Sequence, residues 1–345
     1  MEDFNLEQMT GELFQGFQID QAALWEAVMG GDMGGVAGIF MDALITAVEN
    51  PFLSMKEHLI SLCIIGIGAM VLKQLGLFFK DSQVQKIGFW IVYLLLARQL
   101  LELYYSGEKI ATACLEGLLE FGQVFVPLFS AVLTLASGNL TGTGYIATLL
   151  FIIYVIEQFL LYIMVPVVEA YMLISLLGAL WQPDRVEKLM DFLEKGLGIG
   201  FKIMYGVVMG IGALQSMILP FVDHTKVGSV KKILESIPGV GTVTGNGVEI
   251  LFGSAVLLKN GIGVLGLLLL LLFVAAPLVK IGLICVVMRL SSVIYSLFGE
   301  SHLTWCAEHM GQAEGYLWKI IGAAGLLFLL WILLAVYTTN QRLYM

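Results

Sequence analysis

Long apolar segments separated by short polar stretches dominate the pattern of this chain. The longest runs from Val248 to Phe298, and Lys259, Pro277, Lys280 and Arg289 interrupt it. A helix needs about 20 apolar residues to cross a bilayer core of about 30 Å, so this segment is long enough for two crossings. Because hydrocarbon disfavours an unpaired charge by about 3 kcal/mol or more, we expect its charged side chains to face protein or water.

The other apolar segments bring the prediction to about nine transmembrane or re-entrant helices. Residues 144–181 and 248–298 each supply two of them, around Pro166 and Pro277, which we interpret as helix breaks. Membranes tolerate such breaks where protein or water covers the freed backbone groups. The predicted single crossings are Leu59–Phe79, Ile87–Leu103, Gly117–Ala136, Gly196–Phe221 and Tyr316–Tyr337. The pattern therefore predicts an all-α, polytopic integral membrane protein.

The same pattern divides the chain into three parts. Residues 1–56 form an amphipathic segment, residues 57–136 hold the first membrane helices, and residues 137–345 form a proline-broken helical membrane domain. The last part contains two similar halves, at about 144–221 and 248–337. If each half holds three crossings, the second is inverted relative to the first, an arrangement known from transporters.

The similarity of the two halves rests on matching landmarks. Pro166 and Pro277 are 111 residues apart, and each lies between two apolar runs. A polar amphipathic piece and an aromatic-Lys-Ile triplet follow each proline, and the triplets at Lys202 and Lys319 are 117 residues apart. The two offsets nearly agree, as an inverted repeat requires. Apolar segments also resemble one another by chance, so both interpretations stay open.

Composition and charge support the membrane interpretation. Of the 345 residues 59% are hydrophobic and 13% are charged, whereas soluble domains carry about 25% charged residues. The net charge of -9 arises largely in residues 1–55, which contain nine acidic residues and no Lys or Arg. We expect this segment to be extracytoplasmic or interfacial, as a cap on the membrane domain or as a docking element for a partner. No basic surface for nucleic acid is present.

Charged residues within the apolar segments are the candidate functional residues. They are Glu157, Glu169, Lys259, Lys280 and Arg289. Glu169 and Lys280 each follow a proline by three residues, so we expect them to pair between the two halves. These residues would form either an intramembrane polar path or structural ion pairs that fix helix register, and the sequence leaves both interpretations open.

Motifs for enzyme chemistry are missing from the sequence. It has no Walker motif, no dinucleotide-binding fingerprint and no nucleophile–base arrangement, so we expect no catalytic residues, no cofactor and no enzyme activity. His302, Cys306 and His309 share one helix face, which makes them a candidate zinc site. Their spacing matches no common zinc site, and the competing interpretation is the polar side of an interfacial helix.

The segment from Ser236 to Gly299 resembles the stage III sporulation protein AE family of endospore-forming Firmicutes. The similarity extends more loosely backward through Pro166 to the residues before Leu59. The residues that carry it are Ile237–Gly241, Gly253–Asn260, Gly263–Gly266, Pro277, Lys280 and Leu297–Gly299.

The resemblance implies a place in a mother-cell protein set that forms a channel complex with a forespore partner. It implies a permease-like, multi-pass subunit of a secretion-like apparatus in the mother-cell membrane surrounding the forespore, embedded in membrane lipid. Other stage III sporulation membrane subunits and a separate ATPase subunit would be its partners. The function expected from it is that of a channel or export-platform subunit required for late forespore development. The alternatives are a stand-alone secondary transporter with an ion-coupled site and an intramembrane scaffold without a conduit.

Overall fold

The computed structural model describes residues 33–79, 82–137, 151–180, 183–222 and 244–340. Every regular element in these ranges is a helix, which confirms the predicted all-α class for this part of the chain. Residues 151–159 are helical, and a π-helical turn, Leu160–Met164, follows them. The other helices are α1, Met33–Phe79; α2, Ser82–Ser137; α3, Val165–Leu180; α4, Pro183–Val222; α5, Thr244–Leu297; and α6, Ser301–Asn340.

Several sequence predictions fall outside the described residues. These include most of the acidic segment before α1 and residues 237–241, which carry part of the family resemblance. The side chains of the first 22 residues of α5, residues 244–265, also lie outside the described part, and Lys259 is one of them. The predicted boundary after residue 56 falls inside α1, which continues through it.

Within the described residues, five helical segments are long and apolar enough to cross a membrane. Many of their apolar side chains point outward, as for Ile64, which is 63% exposed, and Tyr162, which is 68% exposed. Lipid would cover such side chains, so the chain is a membrane protein. The total of nine crossings stays a prediction. The five segments are Met55–Leu75, Lys86–Gln123, Phe151–Gly178, Gly266–Leu297 and Ser301–Leu333.

Two pairs of predicted crossings are each one continuous helix. The polar residues between the second and third predicted crossings lie within α2, where Thr112 Oγ1 donates to the carbonyl oxygen of Glu108. They belong to a helix face and do not form a loop. The predicted pair around Pro277 lies within α5, which does not end at this proline. A proline removes one backbone hydrogen bond from a helix, but neighbouring helices can compensate for that loss in a membrane.

The helix is irregular at Pro166. The π-helical turn Leu160–Met164 lies directly before it, and the Val165 N–H donates to the carbonyl oxygen of Leu160. Proline has no N–H to donate, and in a regular α-helix its ring would clash with the carbonyl group four residues earlier. The wider turn is the local solution, and α3 continues from Val165 with regular α-helical geometry.

The described residues divide into two compact units. One contains the residues up to Leu118 together with Glu157–Leu197 and Leu271–Gly325, and the other contains Leu119–Ile156, Gly198–Leu270 and the residues from Leu326 onward. The second unit has an aromatic core. Phe121 stacks on Phe125 with ring centroids 5.1 Å apart, and Phe125 meets Trp331 edge to face at 6.0 Å.

A tight turn in the first unit reverses the chain between α5 and α6. Gly299 has a φ of 72°, and its N–H donates to the carbonyl oxygen of Ser296, while the Glu300 N–H donates to that of Tyr295. This pair of hydrogen bonds is the Schellman motif, which ends helices at a left-handed glycine. Lys73 of α1 also donates to the Gly299 carbonyl oxygen at 2.8 Å.

Small residues on α6 keep it close to α5 below this turn. Gly311 accepts a hydrogen bond from Cys285 Sγ at 3.3 Å through its carbonyl oxygen, and Arg289 packs on the same residue. Further along the pair, Trp318 Nε1 donates to the Leu278 carbonyl oxygen at 3.0 Å, and Gly325 packs against Val274. Such contacts let helix backbones approach closely in membranes, and they fix an antiparallel register for α5 and α6.

Candidate buried polar site

Helix α6 presents polar groups to several neighbouring helices of the first unit. The face with Gly311 and Gly315 packs on α5, as described above. The face with Gln312 and Tyr316 meets α3 and α4. A third face carries Glu314, which lies against Gly107 of α2. Helix α6 therefore contacts α2, α3, α4 and α5 through polar or small residues.

The third face carries a carboxyl group without a partner. Glu314 is fully buried, and neither of its oxygens accepts or donates a hydrogen bond. A Cβ atom at Gly107 would overlap the Glu314 carboxyl group, so α2 can approach this closely only because residue 107 has no side chain. An ionised carboxylate in such surroundings is costly unless it is paired or hydrogen-bonded.

Three more groups with oxygen atoms surround Glu314, and we call the four residues the carboxyl cluster. Tyr104 is fully buried, and its hydroxyl has no hydrogen-bond partner. It lies within electrostatic range of Glu108, Glu169 and Glu314. Glu108 also interacts with Glu169 and with Glu314. The carboxyl cluster thus brings three acids and one hydroxyl together from α2, α3 and α6.

A second buried acid lies elsewhere in the first unit. Glu157 is fully buried in the helical residues 151–159, and neither of its oxygens has a hydrogen-bond partner. Glu157 interacts electrostatically with the buried thiol of Cys114 on α2. Glu157 was predicted from the sequence as an intramembrane charge, and the structure places it in the interior of the first unit.

Glu194, another acid of the unit, has hydrogen-bond partners. Glu194 Oε1 accepts a hydrogen bond from the Tyr171 hydroxyl at 2.8 Å and another from Gln312 Nε2 at 2.7 Å. The Tyr171 ring meets Tyr316 edge to face at 5.7 Å, and Lys319 Nζ lies 4.9 Å from the Tyr316 ring centroid. We call this group the Glu194 node. Its hydrogen bonds join α3, α4 and α6.

The predicted pair of Glu169 and Lys280 does not form. Glu169 lies instead in the carboxyl cluster. An ion pair joins Lys73 to Glu300 at 3.1 Å. Arg289 is exposed and packs on Gly311 and Gly315, but it forms no ion pair with Glu314. The side chain of Lys259 lies outside the described part, so a single path through all five predicted charges stays a prediction.

The candidate zinc residues point in different directions. His302 is exposed and meets the Phe89 ring at 5.8 Å, whereas Cys306 is fully buried. His309 Nδ1 donates to the carbonyl oxygen of Trp305 at 2.8 Å. Among the residues that the structure describes, no group of three or more His, Cys, Asp or Glu side chains is placed to hold a metal ion.

Comparison with known proteins identifies the family. The family model described as stage III sporulation protein AE matches residues 19–339. The chain belongs to the stage III sporulation protein AE family. It is also 21% identical over 308 residues to the stage III sporulation protein AE of Bacillus subtilis strain 168, across 89% of this chain and 77% of that protein. No solved structure matches the chain.

Family membership confirms the resemblance found in the sequence, but the residues of the carboxyl cluster were mostly missed. Of its four residues, only Glu169 was among the candidate functional residues predicted from the sequence. The burial of Glu314 could have been predicted from the small residues near it in the sequence, Gly311, Ala313 and Gly315. Small residues on both sides of an acid indicate a close helix contact, and therefore burial, better than they indicate a solvated surface.

Proposed function

We propose that this chain is a channel or export-platform subunit of a sporulation membrane complex that links mother cell and forespore. The match to the stage III sporulation protein AE family over residues 19–339 carries this proposal. The buried acids Glu157 and Glu314, which lie within two of the candidate membrane-spanning segments, support it, because intramembrane ionisable residues commonly mark solute or ion pathways. The chain would act in the mother-cell membrane around the forespore and would be required for late forespore development.

Its partners would be other stage III sporulation membrane subunits and a separate ATPase subunit. The residues predicted for the polar path remain part of the proposal: Glu157, Glu169, Lys259, Lys280 and Arg289. Glu157 supports a path most directly, since it is buried without a partner. Arg289 is exposed in the isolated chain and would be available for a neighbouring subunit.

The inverted repeat also belongs to the proposal. Helices α4 and α6 both contain 40 residues, and each follows a helix with a proline at the predicted position. This parallel supports two related halves. The total of nine crossings likewise remains part of the proposal.

A clean deletion of the gene in the sporulating organism tests the proposed role. We expect engulfment to proceed and forespore development to stop late, with complementation by the wild-type gene. Normal spores from the deletion strain would overturn the proposal. A tagged chain purified from sporulating cells should also bring other sporulation membrane subunits with it.

A stand-alone secondary transporter is the second candidate function. The unpartnered acids Glu157 and Glu314 favour it, since ion-coupled transporters use buried carboxyl groups in this way. A transporter should purify alone or as a homo-oligomer. An intramembrane scaffold, the third alternative, would protect cysteines placed at residues 157, 259 and 280 from water-soluble thiol reagents.

A further inference from the structure

The carboxyl cluster has a chemistry that the proposed function leaves unexplained. Its central group, Glu314, has no hydrogen bond and no ion pair although it is fully buried. The independent observation is Tyr104, whose hydroxyl is also fully buried, also has no partner, and lies within electrostatic range of all three acids. Two unpartnered groups from facing helices indicate a site that binds something small.

The surroundings of Glu314 define what it can bind. From α2 it faces Tyr104 and Glu108, and from α3 Glu169 interacts with the same tyrosine. From α5 Cys285 is within electrostatic range of Glu314, and Arg289 and Lys319 are within range of that thiol. No cation forms an ion pair with Glu314 in this arrangement. Glu108 interacts electrostatically with Glu314, and a neighbouring acid disfavours a second negative charge.

The ligands around Glu314 do not suit a divalent cation. A divalent cation such as Ca²⁺ takes about six to eight oxygen ligands, whereas the described residues hold no group of three His, Cys, Asp or Glu side chains placed around an ion. The backbone of α2 at Gly107 closes the space next to the Glu314 carboxyl group. A proton needs one oxygen and no additional room, so it is the ligand that fits.

We propose that the carboxyl cluster is a proton-exchange site in which Glu314 holds a proton while α2 and α6 are in contact at Gly107. Release of that proton leaves a carboxylate that needs water or a cation, and neither has room until the two helices separate at this point. Glu108, which is partly exposed, is the group that receives the proton. The O–H bond of Glu314 breaks and an O–H bond forms on an oxygen of the Glu108 carboxylate, which then passes the proton to water. The inference deepens the proposed function and depends on it for the membrane setting.

Dicyclohexylcarbodiimide labelling of the full chain in lipid nanodiscs tests the proposal. This apolar reagent modifies protonated carboxyl groups, and peptide mapping by mass spectrometry locates the modified residue. We expect modification at Glu314 at low pH. Above the midpoint of the titration, the extent of modification should fall about tenfold for each pH unit, as it does for the loss of one proton. Glu108→Gln should move the midpoint to lower pH, since it removes a neighbouring negative charge.

Matched variants separate this result from general effects. Glu314→Gln should remove the label at that peptide and leave the label on Glu157 unchanged. Glu116→Gln, an exposed position on α2, should leave the midpoint unchanged. A folded protein that shows no label at Glu314 between about pH 5 and about pH 9, or a midpoint that Glu108→Gln does not move, would overturn the proposal.

The spore assay tells this failure apart from failure of the proposed function. If the deletion strain sporulates normally, the proposed role is wrong while the labelling result stands. If deletion blocks late development and Glu314→Gln complements it fully, the role stands and the proton site has no part in it. We expect Glu314→Gln to accumulate at wild-type levels and to complement poorly.

Discussion

The carboxyl cluster and the Glu194 node pack against different faces of α6 within the same compact unit. They differ in the hydrogen bonds that their central acids make. Glu194 has two hydrogen-bond donors, from Tyr171 and Gln312, whereas Glu314 has none. A satisfied acid joins helices and stabilises them, while an unsatisfied one costs free energy that its fold must supply elsewhere. The difference indicates that the Glu194 node is structural and that Glu314 is retained for function.

Replacing Gly107 should produce the largest effect on this comparison. Gly107→Leu places a side chain where the Glu314 carboxyl group lies, and overpacking of this kind costs about 3 kcal/mol. We expect a lower midpoint of thermal unfolding in detergent and less monodisperse protein. Gly68→Leu on α1 is the control, because no atom lies within 4 Å of the added Cβ there. Equal behaviour of the two variants would contradict the close α2–α6 contact.

Removing the acid of the Glu194 node should be the next largest effect. Glu194→Ala leaves the Tyr171 hydroxyl and the Gln312 amide without their acceptor, at a cost of about 2 kcal/mol. Thermal unfolding measured by tryptophan fluorescence would show the loss. Glu187→Ala, an exposed acid on the same helix, should be close to wild type. If Glu194→Ala is as stable as that control, the node is not a structural connection.

The sequence predicted the helical class, the membrane setting and the family, because long apolar runs and local motifs report these properties directly. It did not predict that α2 is continuous, since the polar residues near Glu108 look the same in a loop and on a helix that packs in a protein interior. The sequence also placed Glu314 in the polar amphipathic piece between Pro277 and Lys319, and so did not predict its burial. Which acids are satisfied depends on helix contacts between distant residues, such as Gly107 with Glu314, and no local pattern contains them.

Replacing Glu314, the acid without a hydrogen-bond partner, should raise the stability of the protein, whereas the two replacements above lower it. Glu314→Met removes a buried, unpartnered carboxyl group and keeps a side chain of similar length, so stability should rise by about 1 kcal/mol. Sporulation efficiency of the complemented strain should nevertheless fall, if the acid is retained for function. Glu308→Met, at an exposed position of α6, should change neither quantity. A loss of stability in Glu314→Met would mean that Glu314 has a stabilising partner after all.

The smallest effect is expected at the ion pair between α1 and the α5–α6 turn. Lys73 Nζ lies 3.1 Å from Glu300 Oε1 and donates to the Gly299 carbonyl oxygen, but its side chain is 42% exposed. Exposed ion pairs contribute about 0.5 kcal/mol, so Lys73→Met should lower the unfolding midpoint only slightly, and less so in high salt. Lys56→Met, an exposed position on the same helix, provides the control. A large loss in Lys73→Met alone would show that Glu300 stabilises the α5–α6 turn strongly although its partner is exposed. Glu300 and Glu194 would then both join helices through their partners, and the lack of any partner at Glu314 would be still harder to explain by packing alone.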